Sequence, residues 1–192
     1  IPGKHVCIAY IPQRTQVDWH FPVNVSDVVM MGRAAKMKPF SWPSRADYQA
    51  VNRALDTVDL RDLANRQISE LSGGQQQRMF IARALAQEAE LILMDEPLSG
   101  LDNPSQESVL AILETLHQKG VTVMVATHDL DQASRFFDRI LLLNHRIIGF
   151  GTPKEVLTTE KLLHAFGGRL NFVDADGHTV TMDDSCCHGG DE

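Results

Sequence analysis

The sequence predicts an α/β fold whose core is a parallel sheet. The runs at 91–94 and 121–126 are continuously apolar, as in strands that are buried on both faces of a sheet. Helical spacing of apolar residues precedes the first run and separates it from the second. Because strands that alternate with helices usually pair in parallel, these observations together indicate a parallel core.

Composition sets the class of protein. The 192 residues suffice for one domain with its own core, and 43% hydrophobic and 22% charged residues are typical of a globular protein. Residues 171–192 hold six of the 25 acidic residues and neither Lys nor Arg, which leaves 19 acidic against 18 basic residues in 1–170. We therefore expect a domain over 1–170, an acidic and flexible tail over 171–192, and no nucleic-acid partner, since such partners require a basic surface.

The three cysteines are not expected to form a disulfide framework. Cys7 lies in a predicted strand, and Cys186 and Cys187 are adjacent, which disfavours bridging and fits a cytosolic compartment. Cys186, Cys187 and His188 suit a soft metal ion, and an unstructured tail is the alternative.

A strand predicted over 5–11 ends at Pro12, so Gln13 follows its carboxyl end, where α/β sheets often contact ligands. A surface glutamine is the alternative.

Residues 26–66 are predicted to form a small helical subdomain, with one helix capped by Ser26, a second begun by a Ser44–Asp47 capping box, and a short element over 60–64. Five of its apolar residues either dock a partner or pack its own core: Met30, Met31, Met37, Phe40 and Trp42.

Ser72, Gly73 and Gly74 stand directly before a helix predicted over Gln76–Gln87. Free backbone N–H groups and the positive end of the helix dipole make such a place an anion site.

Two acidic residues, Asp95 and Glu96, end the apolar run at 91–94. Asp95 can hold Mg²⁺ through water, and Glu96 can polarise an attacking water. A solvated acidic turn is the alternative.

His128 ends the next strand at the same sheet edge. There it either contacts a phosphate or holds the water-activating group. A structural histidine is the alternative.

Further along, residues 99–102 form a tight turn, and Asn103 is predicted to cap a helix with Pro104 at its first position. Asp102 is the alternative cap, and Gly120 is expected to end this helix.

A hairpin is predicted around Asn144 and His145, and a capping box at 152–155 begins helical segments that reach about Phe166.

The order and spacing of these features resemble the ATP-binding cassette (ABC) ATPases, from about His5 to Phe166. The resemblance implies a P-loop NTPase-like core with ATP and Mg²⁺ as cofactors and an inserted helical and signature subdomain over 26–88. It assigns Gln13 as the Q-loop glutamine and a ligand of the Mg²⁺ bound with ATP. Residues 71–75 match the signature motif, in which Ser72, Gly73, Gly74 and Gln75 would bind nucleotide. Residues 91–95 match Walker B, with Asp95 as a metal ligand, and Glu96 matches the catalytic glutamate. Residues 99–102 match the D-loop, with Asp102 as a nucleotide-binding residue, and His128 matches the switch histidine.

Within this family, residues 18–22 and 27–33 look like the manganese, zinc and iron importer ATPases. The resemblance implies a peripheral subunit on the cytoplasmic face of the cell membrane. Its expected partners are a membrane permease, which would dock on residues 13–42, a second ABC ATPase subunit in a homodimer, and indirectly a solute-binding protein. Three other functions stay open: an importer of another substrate such as an iron chelate, a non-hydrolytic module that completes a partner's ATP site, and a soluble ABC protein of translation or repair.

One family motif is missing from the sequence: no Gly-x-x-x-x-Gly-Lys-[Ser/Thr] precedes Gln13. We therefore expect an N-terminally truncated chain that lacks the Walker A motif and the N-terminal strands.

We predict that this chain by itself hydrolyses ATP only at the background rate, because the phosphate cradle and the Mg²⁺-binding hydroxyl of that motif are lacking. A steady-state phosphate-release assay on the purified chain checks this, with Glu96→Gln as the control. Robust turnover that depends on Glu96 would contradict the prediction.

Overall fold

The computed structural model describes residues 6–38, 40–166, 169–173 and 179–183. It divides into two compact units, residues 1–128 and 129–192. Among the described residues, no helix combines the length and the apolar character needed to cross a bilayer.

The first unit contains a sheet of three parallel strands, β1 (Ile8–Ile11), β2 (Leu91–Asp95) and β3 (Thr122–Ala126), with β2 in the middle. The register pairs Ile11 with Met94 and Met94 with Val125, so the three carboxyl ends lie side by side. The predicted parallel α/β core is therefore confirmed. The first strand begins three residues later than predicted.

The predicted burial of both sheet faces is wrong. In β2, Ile92 and Met94 are buried, but Leu91 and Leu93 are only half-buried. In β3 no residue is fully buried, and Met124 is 48% exposed. The helices of this unit therefore shield one face of the sheet much better than the other, within the described residues. A continuous apolar run cannot reveal this difference, because it looks the same whichever face the helices cover.

The described part of this unit also contains the α-helices α1 (Val25–Met31), α2 (Arg45–Thr57), α3 (Gly73–Ala86) and α4 (Asn103–Gln118), besides short 3-10 turns. Their apolar faces and the sheet share one core that includes Val29, Leu55, Ile81, Ile92 and Leu116. Its members recur at helical spacing along each helix, which is why the sequence pattern located the helices.

The helix starts correct three predictions. Asn24, not Ser26, caps α1, and it forms a capping box with Asp27. Helix α3 begins at Gly73 rather than Gln76. Asp102, not Asn103, occupies the cap position of α4, although its side chain makes no capping hydrogen bond. Each error is a shift of one to three residues between neighbouring cap-competent or glycine residues, which sequence preferences alone do not resolve.

A buried ion pair joins α1, α2 and α3. The Arg33 Nε donates to Asp47 Oδ1 at 3.0 Å, and its Nη1 donates to the carbonyl of Ala86 at 2.9 Å and to Glu88 Oε1 at 3.0 Å. The side chains of Arg33 and Asp47 are each only 10% exposed. Gly32 lies beside this cluster, and a Cβ there would stand 2.3 Å from the Arg83 carbonyl oxygen, so only glycine allows α1 to approach α3 this closely.

The second unit contains α5 (Leu130–Phe136), the antiparallel strands β4 (Ile140–Asn144) and β5 (Arg146–Gly151), and the short helices α6 (Pro153–Val156) and α7 (Thr159–Phe166). The predicted hairpin and the capping box of Thr152 and Glu155 are confirmed, with His145 in the left-handed region of the turn. A small core of its own holds this unit together.

Strands β6 (Arg169–Val173) and β7 (Thr179–Asp183) pair antiparallel. This pair extends into residues 171–192, where the composition predicts an acidic and flexible tail. Residues 186–188, including the two adjacent cysteines, lie outside the described residues.

We predict a pH dependence from the Asp47 carboxylate. Hydrogen bonds from Ser44 and then from Arg33 hold the pKa of Asp47 at about 2, against an ordinary value of 3.8. Because the folded-state pKa is the lower one, the stabilisation is complete above about pH 4 and is lost as the pH falls toward about 2. The free energy of unfolding, measured with urea, should therefore differ between wild type and Asp47→Asn at neutral pH and converge over this window.

Asp56→Asn is the matched control, since Asp56 is an exposed residue of the same helix. Its effect should stay small at every pH. A wild-type advantage over Asp47→Asn that persists undiminished at pH 2 would contradict the assignment.

Candidate functional site

Three of the side chains predicted to form the site meet at the carboxyl edge of the parallel sheet. The Gln13 Nε2 donates to Glu96 Oε2 at 3.1 Å. On the other side of the same carboxylate, His128 Nδ1 lies 2.7 Å from Glu96 Oε1. The residues are 83 and 32 positions from Glu96 in sequence, so only the fold brings them together. We call this group the Gln13–Glu96–His128 cluster.

The parallel register explains the meeting. Gln13 follows β1 by two residues, Glu96 follows β2 directly, and His128 follows β3 by two residues. Glu96 extends the ladder by one bond, from its N–H to the Ala126 carbonyl at 2.9 Å. Its φ of +45° is unusual for a residue other than glycine, and the ladder bond and the two side-chain contacts hold it there.

The cluster is open to solvent on one side. The Glu96 side chain is 27% exposed and that of His128 is 78% exposed. Since a carboxylate only accepts hydrogen bonds, Nδ1 of His128 carries the proton in their contact, and the other ring nitrogen stays available. A carboxylate that is oriented on both oxygens and reachable by water can act as a general base.

Asp95 stands next to this cluster as a separate feature. It is half-buried, and its carboxylate makes no hydrogen bond or ion pair with any residue that the structure describes. The Gln13 amide nitrogen is used by Glu96, which leaves the amide oxygen free for a ligand. A carboxylate and an amide oxygen are the hard ligands that Mg²⁺ prefers, and Mg²⁺ sites often contain only one or two protein ligands. The residues present therefore fit Mg²⁺, although the described residues contain no group of three metal-binding side chains.

The segment Leu71–Gln75, here called the signature segment, forms the start of α3. Ser72 and Gln75 make a reciprocal capping box, with the Ser72 Oγ accepting from the Gln75 N–H at 3.3 Å and the Gln75 Oε1 accepting from the Ser72 N–H at 2.9 Å. Gly74 packs on α4, where a Cβ would stand 2.5 Å from the Ser105 Oγ. Gly73 and Gly74 are thus the first residues of the helix, and N–H groups at this position have no intrahelical acceptor.

The structure does not join the predicted site residues into one group. Within the described residues, no hydrogen bond or ion pair links the signature segment or Asp102 to Glu96. Asp102 is exposed at the start of α4. The predicted residues therefore form two separate sets, one around Glu96 and one at the start of α3.

Arg14 is a further residue at this edge of the sheet that the sequence pattern does not single out. Its Nε and Nη2 both donate to the Gln76 Oε1, at 3.3 and 3.0 Å. Its carbonyl accepts from the Trp19 Nε1 at 3.1 Å. The only sequence signal was its place directly after Gln13, which by itself does not distinguish a bound arginine from a solvated one.

Comparisons with known proteins agree with these features. The family model described as ABC transporter matches residues 3–99. The manganese transport system ATP-binding protein MntB of Bacillus subtilis (strain 168) is 47% identical over 175 residues, which are 89% of this chain and 70% of that protein. The zinc transport system ATP-binding protein TroB of Treponema pallidum (strain Nichols) is 43% identical over 164 residues, which are 85% of this chain and 62% of that protein.

Among solved structures, a metal-chelate type ABC transporter in an inward-facing conformation superposes with a TM-score of 0.77 at 35% identity, over 93% of this chain and 74% of that one. The fold is accordingly that of an ATP-binding cassette. The match of the family model over half of the chain and the identity to MntB lead to one conclusion: the chain belongs to the ABC transporter family.

Proposed function

We propose that this chain is part of an ATP-binding and ATP-hydrolysing subunit that energises the import of a transition-metal ion, such as manganese, zinc or iron. The observation that carries the proposal is the Glu96 carboxylate held between Gln13 and His128 at the carboxyl edge of the sheet. The relatives named above support the metal-ion class, since their names concern manganese and zinc transport.

In the proposed mechanism, Glu96 accepts a proton from the water that attacks the terminal phosphate. Gln13 and His128 hold the carboxylate by one oxygen each, so that its orientation is set before the water arrives. The exposed ring nitrogen of His128 can donate to a phosphate oxygen once protonated. Asp95, through water, and the Gln13 amide oxygen would hold the Mg²⁺ that accompanies ATP. Bound Mg²⁺ supplies positive charge to the phosphate oxygens.

We assign the signature segment and Asp102 to the ATP of a second subunit, in a homodimer. Two observations support this. No hydrogen bond or ion pair joins them to Glu96 within the described residues, and the first-turn N–H groups of α3 are the donors that a phosphate needs. A non-hydrolytic module that only completes a partner's site is the second candidate, and the separation of the two residue sets is what favours it.

Residues 13–42 are the proposed docking surface for a membrane permease. Phe40 and Trp42 are almost completely exposed, at 108% and 92%, and Met31 is 51% exposed. Exposed aromatic and Met side chains are typical of protein interfaces. By this proposal the subunit lies on the cytoplasmic face of the membrane and meets the solute-binding protein only through the permease.

We predict that Glu96→Gln lowers ATP turnover by at least about 100-fold in the full-length protein, because the amide cannot accept the proton of the attacking water. ATP binding should persist, since the change removes no phosphate contact. Phosphate release and fluorescent-nucleotide binding measure the two properties separately.

Glu107→Gln is the matched control, because Glu107 is an exposed glutamate of α4. It should leave turnover unchanged. A full-length wild-type protein that binds ATP without hydrolysing it would instead support the non-hydrolytic module.

A second prediction concerns docking. Replacing both Phe40 and Trp42 with Ser should abolish co-purification of the permease from detergent-solubilised membranes, because the exposed aromatic contact area is lost. The fold should be unaffected, since neither side chain is buried. Phe166→Ser, at an exposed aromatic residue outside 13–42, is the control.

Permease recovery that is equal for wild type and the double variant would contradict the docking surface. If no permease is recovered even with the wild type, a soluble ABC protein becomes the better proposal. Metal-uptake assays with manganese, zinc and iron chelates then separate the importer alternatives.

A further inference from the structure

Arg14 connects the loop that follows β1 to α3 through hydrogen bonds. Both Nε and Nη2 of its guanidinium donate to one acceptor, the Gln76 Oε1. Gln76 is 7% exposed and Arg14 is half-buried, so water competes poorly for this contact. Hydrogen bonds from a charged donor in a shielded place are stronger than neutral ones at the surface.

A second contact fastens the same loop to the same helix. The Trp19 Nε1 donates to the Arg14 carbonyl, and the Trp19 ring meets Phe80 edge-on, with centroids 5.6 Å apart. Gln76 and Phe80 are four residues apart in α3 and therefore lie on one face of the helix. Residues 14–19 are thus held along that face at two points, one turn apart.

Gly73 leaves room for this arrangement. A Cβ on Gly73 would stand 2.5 Å from the Arg14 Nη1 and 2.9 Å from the Arg14 Cζ. Gly73 is not in the left-handed region, so its backbone conformation does not call for glycine. The absence of a side chain here lets the guanidinium lie against the first residue of α3, inside the signature segment.

The two consecutive residues Gln13 and Arg14 therefore point to different partners. Gln13 binds the Glu96 carboxylate, whereas Arg14 binds the first turns of α3. Adjacent Cα atoms are only about 3.8 Å apart, so a shift of α3 that carries Arg14 along also displaces Gln13.

We propose that Arg14 is a positioning residue that links the place of the signature segment to the orientation of Glu96, so that hydrolysis depends on how α3 is seated. This inference rests on the proposed ATPase function. It adds to that function a role for the Arg14–Gln76 contact, which the roles of Gln13 and Glu96 do not include.

Hydrogen exchange tests the physical link, using the full-length protein. In Arg14→Ala, amide exchange should accelerate both in residues 13–19 and in the first turns of α3. Arg53→Ala, at an exposed arginine of α2, should change neither. Unchanged exchange in both segments of Arg14→Ala would overturn the link, whether or not the protein hydrolyses ATP.

Steady-state kinetics test the consequence for hydrolysis. Arg14→Ala should lower kcat about 10- to 100-fold, as misplacement of a catalytic group does, while KM for ATP stays within about 2-fold. Gln76→Ala should do the same. The double variant should be no slower than the slower single variant, because both changes break one contact.

Gln76→Glu is the control that distinguishes loss of the Arg14 contact from loss of the folded state. It keeps the acceptor for Arg14, so kcat should stay near that of wild type, while the same change combined with Arg14→Ala should not restore kcat. Normal kcat in Arg14→Ala, or multiplying losses in the double variant, would overturn the inference. The proposed function fails by a different result, namely wild-type turnover that does not depend on Glu96.

Discussion

The parallel pairing of three strands is the constraint on which the candidate site depends. Because β1, β2 and β3 run in the same direction and in register, their carboxyl ends deliver Gln13, Glu96 and His128 to one place. The two contacts to Glu96 then use both oxygens of its carboxylate. A change of register by one residue would turn these side chains to the opposite face of the sheet, so the site is as well determined as the sheet itself.

The helical part of the first unit is organised around α3. The ion-pair cluster of Arg33 and Asp47 holds α1 and α2 to the C-terminal end of α3, while Arg14 and Trp19 hold the loop after β1 to its N-terminal half. Gly32 is needed for space rather than for an unusual backbone conformation, whereas Gly73 leaves room for the Arg14 guanidinium. The loop after the sheet edge and the neighbouring helices thus all pack on α3, whose own first turn is the signature segment.

The separation of the predicted residues into two sets gives the site its proposed character. Glu96 and its neighbours have the geometry of a base that activates water, whereas the signature segment offers backbone donors elsewhere in the same unit. This separation is the basis for the proposal of an ATP site that is shared between two subunits. The exposure of Phe40 and Trp42 adds a surface suited to a third partner.

The sequence by itself determined the α/β class, most helices, the hairpin of β4 and β5, and the identity of Gln13, Glu96 and His128 as candidates. The class, the helices and the hairpin follow from local periodicity and capping residues, whereas Gln13, Glu96 and His128 were selected by their places at strand ends together with the resemblance to the ABC ATPases. Tertiary structure decided which sheet face is covered, where α1, α3 and α4 begin, and that Arg14 binds Gln76, 62 residues away. Burial and long-range hydrogen bonds are set by what the fold places opposite a residue, and no local pattern contains that information.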